Sequence, residues 1–151
     1  MEDNNVVVKK LLNASPEKVW NALTDKNEMK KWYFDLHEFK AEVGFQFQFT
    51  GGPEEGPQYL HLCEVTEVET HQKLTYSWKY DGFAGISFVT FELIPEGNQT
   101  ILVLTHKGLE SFPQDNADFA RSNFETGWDE IINRSLANYL SFGNDQIVIT
   151  H

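Results

Sequence analysis

Phe45-Gln46-Phe47-Gln48-Phe49 (residues 45–49) alternates large apolar and polar side chains with a strict period of two. That is the signature of a strand with one face buried and the other wet. Beyond it, Gly51-Gly52-Pro53-Glu54-Glu55-Gly56-Pro57 reads as a turn-rich loop. Strand-like runs follow at Tyr59–Val68, Leu74–Tyr80, Ile86–Ile94 and Thr100–Lys107. Their joints, Glu69–Lys73, Asp81-Gly82 and Pro95-Glu96-Gly97-Asn98, are short. A parallel pair needs a crossover of a dozen residues or more, so the sequence predicts an antiparallel meander.

Toward the N-terminus, Val6-Val7-Val8-Lys9-Lys10-Leu11-Leu12 is rich in β-branched residues and reads as a further strand. Ser15 and Pro16 then suit the cap and first position of a helix carrying Val19, Trp20 and Leu23. Asp25 and Glu28 form a capping-box-like start to a second short helix with Met29 and Trp32 on one side. Toward the C-terminus, Phe119, Ala120, Phe124, Trp128, Ile131, Ile132, Tyr139 and Leu140 recur mostly three, four or seven apart. They predict a long amphipathic helix from about Asn116 to Leu140, ending near Gly143. The fold class is therefore α+β. An antiparallel sheet wraps around a long C-terminal helix, with two short helices after the first strand. The wedge between sheet and helix is expected to be widest where the two short helices close an end, and it is the natural ligand site.

Composition bounds the function. The 151 residues suit one domain spanning 1–151, with the tail 144–151 separate in its packing. Aromatic residues make up 14% of the chain, enough for a bulky core or an apolar pocket. Lys+Arg is 12 against Asp+Glu 23, a net charge of −11 that disfavours nucleic acid and anionic membranes as partners. Arg occurs only at 121 and 134. The N-terminal Met1-Glu2-Asp3-Asn4-Asn5 is unlike a signal peptide, and no stretch is long and apolar enough to span a membrane, so a cytoplasmic location is expected. The single cysteine, Cys63, allows no internal disulfide.

Ala14-Ser15-Pro16-Glu17-Lys18-Val19-Trp20, Trp32, Val89-Thr90-Phe91-Glu92-Leu93, Leu102–Leu109 and Gly127-Trp128 resemble the START-like (SRPBCC) superfamily. Within it they are most similar to the branch related to the activator of heat-shock-protein ATPase (AHSA-like). The resemblance covers roughly residues 6–142. It implies a helix-grip fold around an apolar cavity, and functions that range over lipid carriers, hormone receptors, aromatase/cyclases and cochaperones. The branch also implies a chaperone contact and a stress-response setting. The chain is read as a single grip domain, without the additional N-terminal domain of full cochaperones.

The candidate lining residues are Trp32, Phe45, Phe47, Tyr76, Trp78, Phe91, His106, Phe124 and Trp128. His106 shares strand parity with Leu102 and Leu104, so it is either a polar handle for a ligand or a core histidine bonded to a neighbour. Phe124 and Trp128, one helical turn apart, read as core packing or as pocket wall, and the two readings are not exclusive because the wall of an apolar pocket is also core. Phe45, Phe47 and Phe49 on one strand and Tyr76 and Trp78 on another line a pocket or fill a core. Gly127 inside a helix costs on the order of 1 kcal/mol relative to alanine, which implies a close approach by sheet backbone or by ligand. His61 and Cys63 form a His-x-Cys pair without the further ligands a metal needs. Leu60 and Leu62 leave the parity there open, since a bulge would reset it. The loop glycines 51, 52 and 56 lack the strand, helix and lysine of a phosphate cradle. The carboxylates at 54, 55, 64, 67, 69, 115 and 118 read as a solvated face. No catalytic residue, metal or cofactor is expected.

The leading functional reading is non-enzymatic binding of a small hydrophobic or aromatic ligand between sheet and C-terminal helix. The alternatives are a chaperone-linked interaction module and a cyclase- or hydrolase-type enzyme. The tail Ile147-Val148-Ile149 is expected to pack on its own domain or to pair with the edge of a second copy, making a homodimer.

Overall fold

The computed structural model describes residues 5–33, 36, 38–52 and 56–142. The expectations for Gly143 and the tail 144–151 lie outside the described residues, as does Pro53-Glu54-Glu55 of the loop. The strands are β1 (Val6–Leu12), β2 (Gln46–Gly51), β3 (Tyr59–Glu69), β4 (Lys73–Tyr80), β5 (Ser87–Glu96) and β6 (Gln99–Lys107). They form one six-stranded sheet in the order β1-β6-β5-β4-β3-β2, with every neighbouring pair antiparallel. Hydrophobic alternation places the strands. On β4, Leu74, Tyr76, Trp78 and Tyr80 turn inward, and on β6 Leu102, Leu104 and His106 do the same. A bulge between Val65 and Glu67 shifts the β3 register. It lies beyond His61 and Cys63, so both of those side chains face the interior and are buried.

The short helices α1 (Pro16–Thr24) and α2 (Lys26–Trp32) start where the capping chemistry puts them. The Ser15 hydroxyl accepts from the Lys18 N–H at 3.3 Å, and the Asp25 carboxylate accepts from the Asn27 N–H at 2.8 Å. Glu28, read as the other half of a capping box, instead accepts from the Tyr139 hydroxyl at 3.0 Å. Desolvation and that bond push the Tyr139 hydroxyl up to about 12.

The C-terminal helix starts later than its apolar pattern suggests. Asn116 spends its side chain on the Asp118 N–H at 2.9 Å, which closes a 3-10 turn over Ala117–Phe119. Ala120 is then extended (φ −70, ψ 146), so α3 begins only at Arg121. α3 (Arg121–Asp129) runs without interruption of helical backbone into a π-helical stretch, Glu130–Leu136, and on into α4 (Ala137–Phe142). Phe124, Trp128, Ile132, Leu136 and Leu140 recur every fourth position and are all buried. In a pure α-helix each four-residue step overshoots a full turn by about 40°, so such a row would drift around the cylinder. The wider i→i+5 turns of the π stretch undershoot and bring the row back over the sheet.

Among the described residues, no helix is long and apolar enough to cross a membrane, and no group of three or more His, Cys, Asp or Glu side chains is placed to hold a metal ion.

Candidate functional site

The β register brings a row of rings together before any helix is added. Phe49 faces His61, which faces Tyr80; one row deeper, Phe47 faces Cys63, Cys63 faces Trp78 and Trp78 faces Ser87. α3 lays Phe124 and Trp128 over the outer end of these rows, and the π-helical stretch that continues it adds Ile131. Between them remains a cavity of about 490 Å³, partly open to solvent, lined on the sheet side by His61, Trp78 and Tyr80. Gly52 and Asp118 border it from the loops, and Asn123 and Thr126 from the exposed flank of α3. This volume lies within the range of small-molecule sites.

The cavity is at the opposite end of the sheet from the one the sequence reading favoured. α1 sits over the β3–β4 turn, where Trp20 meets His71 edge-on at 6.2 Å. His61 and Tyr80 lie at the far ends of those same strands. The short-helix end is filled by its own side chains. Leu23, Met29 and Trp32 are buried there, and the Trp32 indole donates to the Ala22 carbonyl at 2.9 Å.

Three of the candidate lining residues, Trp78, Phe124 and Trp128, meet at the cavity. The others are placed elsewhere. Trp32 locks α2 onto α1. Phe45 precedes β2, half-buried and edge-on to Phe39 at 6.1 Å. Phe47 packs edge-on against Tyr76 at 5.0 Å, and Phe91 lies tilted beside Tyr76 at 5.9 Å. The Tyr76 hydroxyl is 2.7 Å from that of Tyr33, and burial raises the pKa of both. These rings fill the inner part of the wedge, so the open space is confined to the outer part. His61, Tyr80 and Asp118 were not read as lining residues. The signal for His61 and Tyr80 was present, because strand parity puts them in line with Phe49 and Trp78. Asp118 departs from the solvated face read for most of the carboxylates: it borders the cavity and accepts from the Tyr59 hydroxyl at 2.5 Å.

His106 is the core histidine rather than the handle. It is 0% exposed, with both ring nitrogens engaged: the Trp128 indole N–H reaches Nδ1 at 2.9 Å, and Nε2 lies 2.7 Å from the Ser87 hydroxyl. An indole N–H only donates, so Nδ1 carries the lone pair and Nε2 the proton. Nε2–H then donates to Ser87, whose own hydroxyl donates to the Trp78 carbonyl at 3.3 Å. This polarity is the reverse of what a nucleophilic serine requires, because a general base must accept from the hydroxyl. The Ser87–His106 pair orients the Trp128 wall and does not activate Ser87. Cys63 is equally unsuited to chemistry, since burial pushes its thiol well above the ordinary range.

His61 stacks on Phe49 at 4.4 Å, and its Nδ1–H donates to the Tyr59 carbonyl at 3.0 Å. Burial pulls its pKa down to about 4, against backbone hydrogen bonds that raise it. Burial, reinforced by the nearby His61, pulls His106 down to about 3. An unfolded histidine titrates near 6.5, so below that pH the unfolded chain takes up protons that the folded one refuses. Stability is therefore expected to be flat with respect to these groups above pH ~6.5 and to fall by a few kcal/mol as pH drops toward about 4. Urea unfolding at stepped pH measures it.

Two glycines border the cavity for opposite reasons. A Cβ on Gly52 would lie 2.3 Å from the Pro57 carbonyl oxygen, so only glycine lets the two sides of the loop close. A Cβ on Gly127 would meet nothing within 4 Å. The sheet backbone therefore does not approach Gly127, which borders the cavity with open space where a side chain would start.

The sequence model of the family described as "Activator of Hsp90 ATPase homolog 1-like protein" matches residues 13–141. No curated protein matches the chain. Among solved structures, protein MLL2253 from Mesorhizobium loti is 30% identical with a TM-score of 0.71, covering 85% of this chain and 91% of that one. DynU16, a protein of the dynemicin biosynthetic locus, is 24% identical with a TM-score of 0.75, covering 94% of this chain and 49% of that one. The Aha1 dimer from Colwellia psychrerythraea is 23% identical with a TM-score of 0.66, covering 92% and 97%. The last two likenesses show the helix-grip fold.

Proposed function

The chain belongs to the activator of Hsp90 ATPase homolog 1-like family, and from that premise we propose that it is a non-enzymatic carrier or sensor of a small, flat hydrophobic molecule. The observation that carries this reading is the open space beside Gly127, walled by Trp78, Tyr80, Phe124 and Trp128. A helix tolerates glycine at a cost of about 1 kcal/mol relative to alanine, and here neither the sheet nor any other part of the chain beyond its own helix neighbours lies within 4 Å of where a Cβ would stand. The chaperone-linked reading rests on the family alone, without a residue arrangement in this chain to favour it.

A neutral naphthalene probe such as 2-naphthol, titrated against tryptophan fluorescence, tests the proposal. Saturable one-to-one binding is expected. Gly127→Leu is expected to weaken it at least about tenfold by occupying the space, while the melting temperature stays level or rises because leucine is the better helix former. Non-saturable binding, or equal affinity in both proteins, would overturn it.

A further inference from the structure

We propose that the cavity, if it holds a flat ligand as argued above, selects one that carries a positive charge, an aryl-alkyl ammonium, and that Asp118 reads that charge. The inference rests on the ligand-binding reading and adds the class of ligand to it.

The lining residues make the electrostatic case. Among the described residues bordering the cavity there is one carboxylate, Asp118, and no lysine or arginine. His61 is buried and held neutral at physiological pH, so it adds no positive charge. The walls are ring systems: Trp78 and Trp128 lie 5.6 Å apart at 57°, and Trp78 and Tyr80 stand nearly perpendicular at 83°. Aromatic faces carry negative electrostatic potential and attract ammonium groups. A carboxylate at the rim of such walls adds a second attraction for the same charge, and it repels an anion.

The helix end above the cavity does not reverse this field. Neither Arg121 nor Ser122, the first residues of α3, lines the cavity. The Arg121 guanidinium is held by Glu125 at 3.2 Å and by the Asn5 carbonyl at 3.0 Å, on the side of α3 that faces β1. Asp118 is itself fixed in place. Asn116 holds its N–H, and the Tyr59 hydroxyl, edge-on to Tyr80 at 5.7 Å, holds one carboxylate oxygen.

Three probes of matched shape separate charge from shape: 2-naphthylmethylammonium, 2-naphthylmethanol and 2-naphthoate, each measured by isothermal titration calorimetry at low and at high salt. The cation is expected to bind at least about threefold tighter than the neutral probe, and the anion weakest. Asp118→Asn, which keeps an oxygen for Tyr59, is expected to bring the cation-to-neutral ratio to about one. Equal affinity for cation and neutral probe, tightest binding of the anion, or a ratio unmoved by Asp118→Asn would each overturn the inference. No saturable binding by any probe would instead overturn the ligand-binding reading on which it rests. The comparison of probes in the unmodified protein holds even if the variant folds poorly.

Discussion

Trp128→Ala is expected to lower stability by about 3–5 kcal/mol, since truncating a buried aromatic removes both its transfer energy and its contacts. Trp128 is 3% exposed, with Tyr33, Trp78 and Phe91 around it at ring distances of 5.6–6.1 Å. At this chain length each kcal/mol moves the melting temperature by roughly 2–4 °C, so a fall of roughly 6–20 °C is expected. Trp128→Phe separates packing from hydrogen bonding. It keeps a ring in place but leaves the His106 Nδ1 lone pair without its donor, and is expected to cost about 1–3 kcal/mol. Calorimetric melting of both variants checks the pair. A melting temperature unchanged in Trp128→Ala would contradict the packing of α3.

His106→Leu should produce the second large loss. It strands the Trp128 indole N–H, removes the donor to Ser87 in a fully buried setting, and is expected to cost about 2–4 kcal/mol. Two further results identify the cause. The double variant His106→Leu/Trp128→Phe removes both hydrogen-bonding partners, so its loss is expected to be smaller than the sum of the single losses. The acid-side fall in stability is also expected to shrink in His106→Leu, because the unfolded chain has lost a group that takes up a proton below pH ~6.5. Urea unfolding at pH 7 and pH 5 measures both effects.

These two predictions mark where sequence reading works and where it stops. Period-two patterning in Phe45–Phe49 and the short joints after Val68, Tyr80 and Ile94 expose the antiparallel sheet, because side-chain alternation and joint length are local properties. Parity alone sends His106 inward. Its partners are a different matter: Ser87 lies on the neighbouring strand and Trp128 on α3, so their meeting depends on strand register and helix placement. The same limit explains why Trp78, Phe124 and Trp128 were separable from Phe47, Tyr76 and Phe91 only in three dimensions. All six are inward aromatic residues by pattern, and which of them faces open space is decided by how volume is shared between sheet and helix. The late start of α3 was hidden by Phe119, which continues the apolar rhythm while Asn116 closes a separate turn. The π stretch was hidden too, because the four-residue spacing of its apolar row passes for an ordinary amphipathic helix. Gly127 was legible as an anomaly but not as a cause, since a glycine needed for contact and one leaving a space look alike in sequence.

The central claim is that a flat molecule enters the space between the sheet and α3, and the chain carries its own reporters for that event. Of its four tryptophans, Trp78 and Trp128 line the cavity, while Trp20 meets His71 at the β3–β4 turn and the Trp32 indole N–H is held by the Ala22 carbonyl of α1. Each indole N–H gives a separate signal in a nitrogen–proton correlation spectrum. Titration with the naphthalene probe is predicted to shift the Trp78 and Trp128 indole signals along one saturating curve and to leave those of Trp20 and Trp32 in place. Movement confined to Trp20 and Trp32, or no movement of any indole signal at saturating probe, would contradict the account.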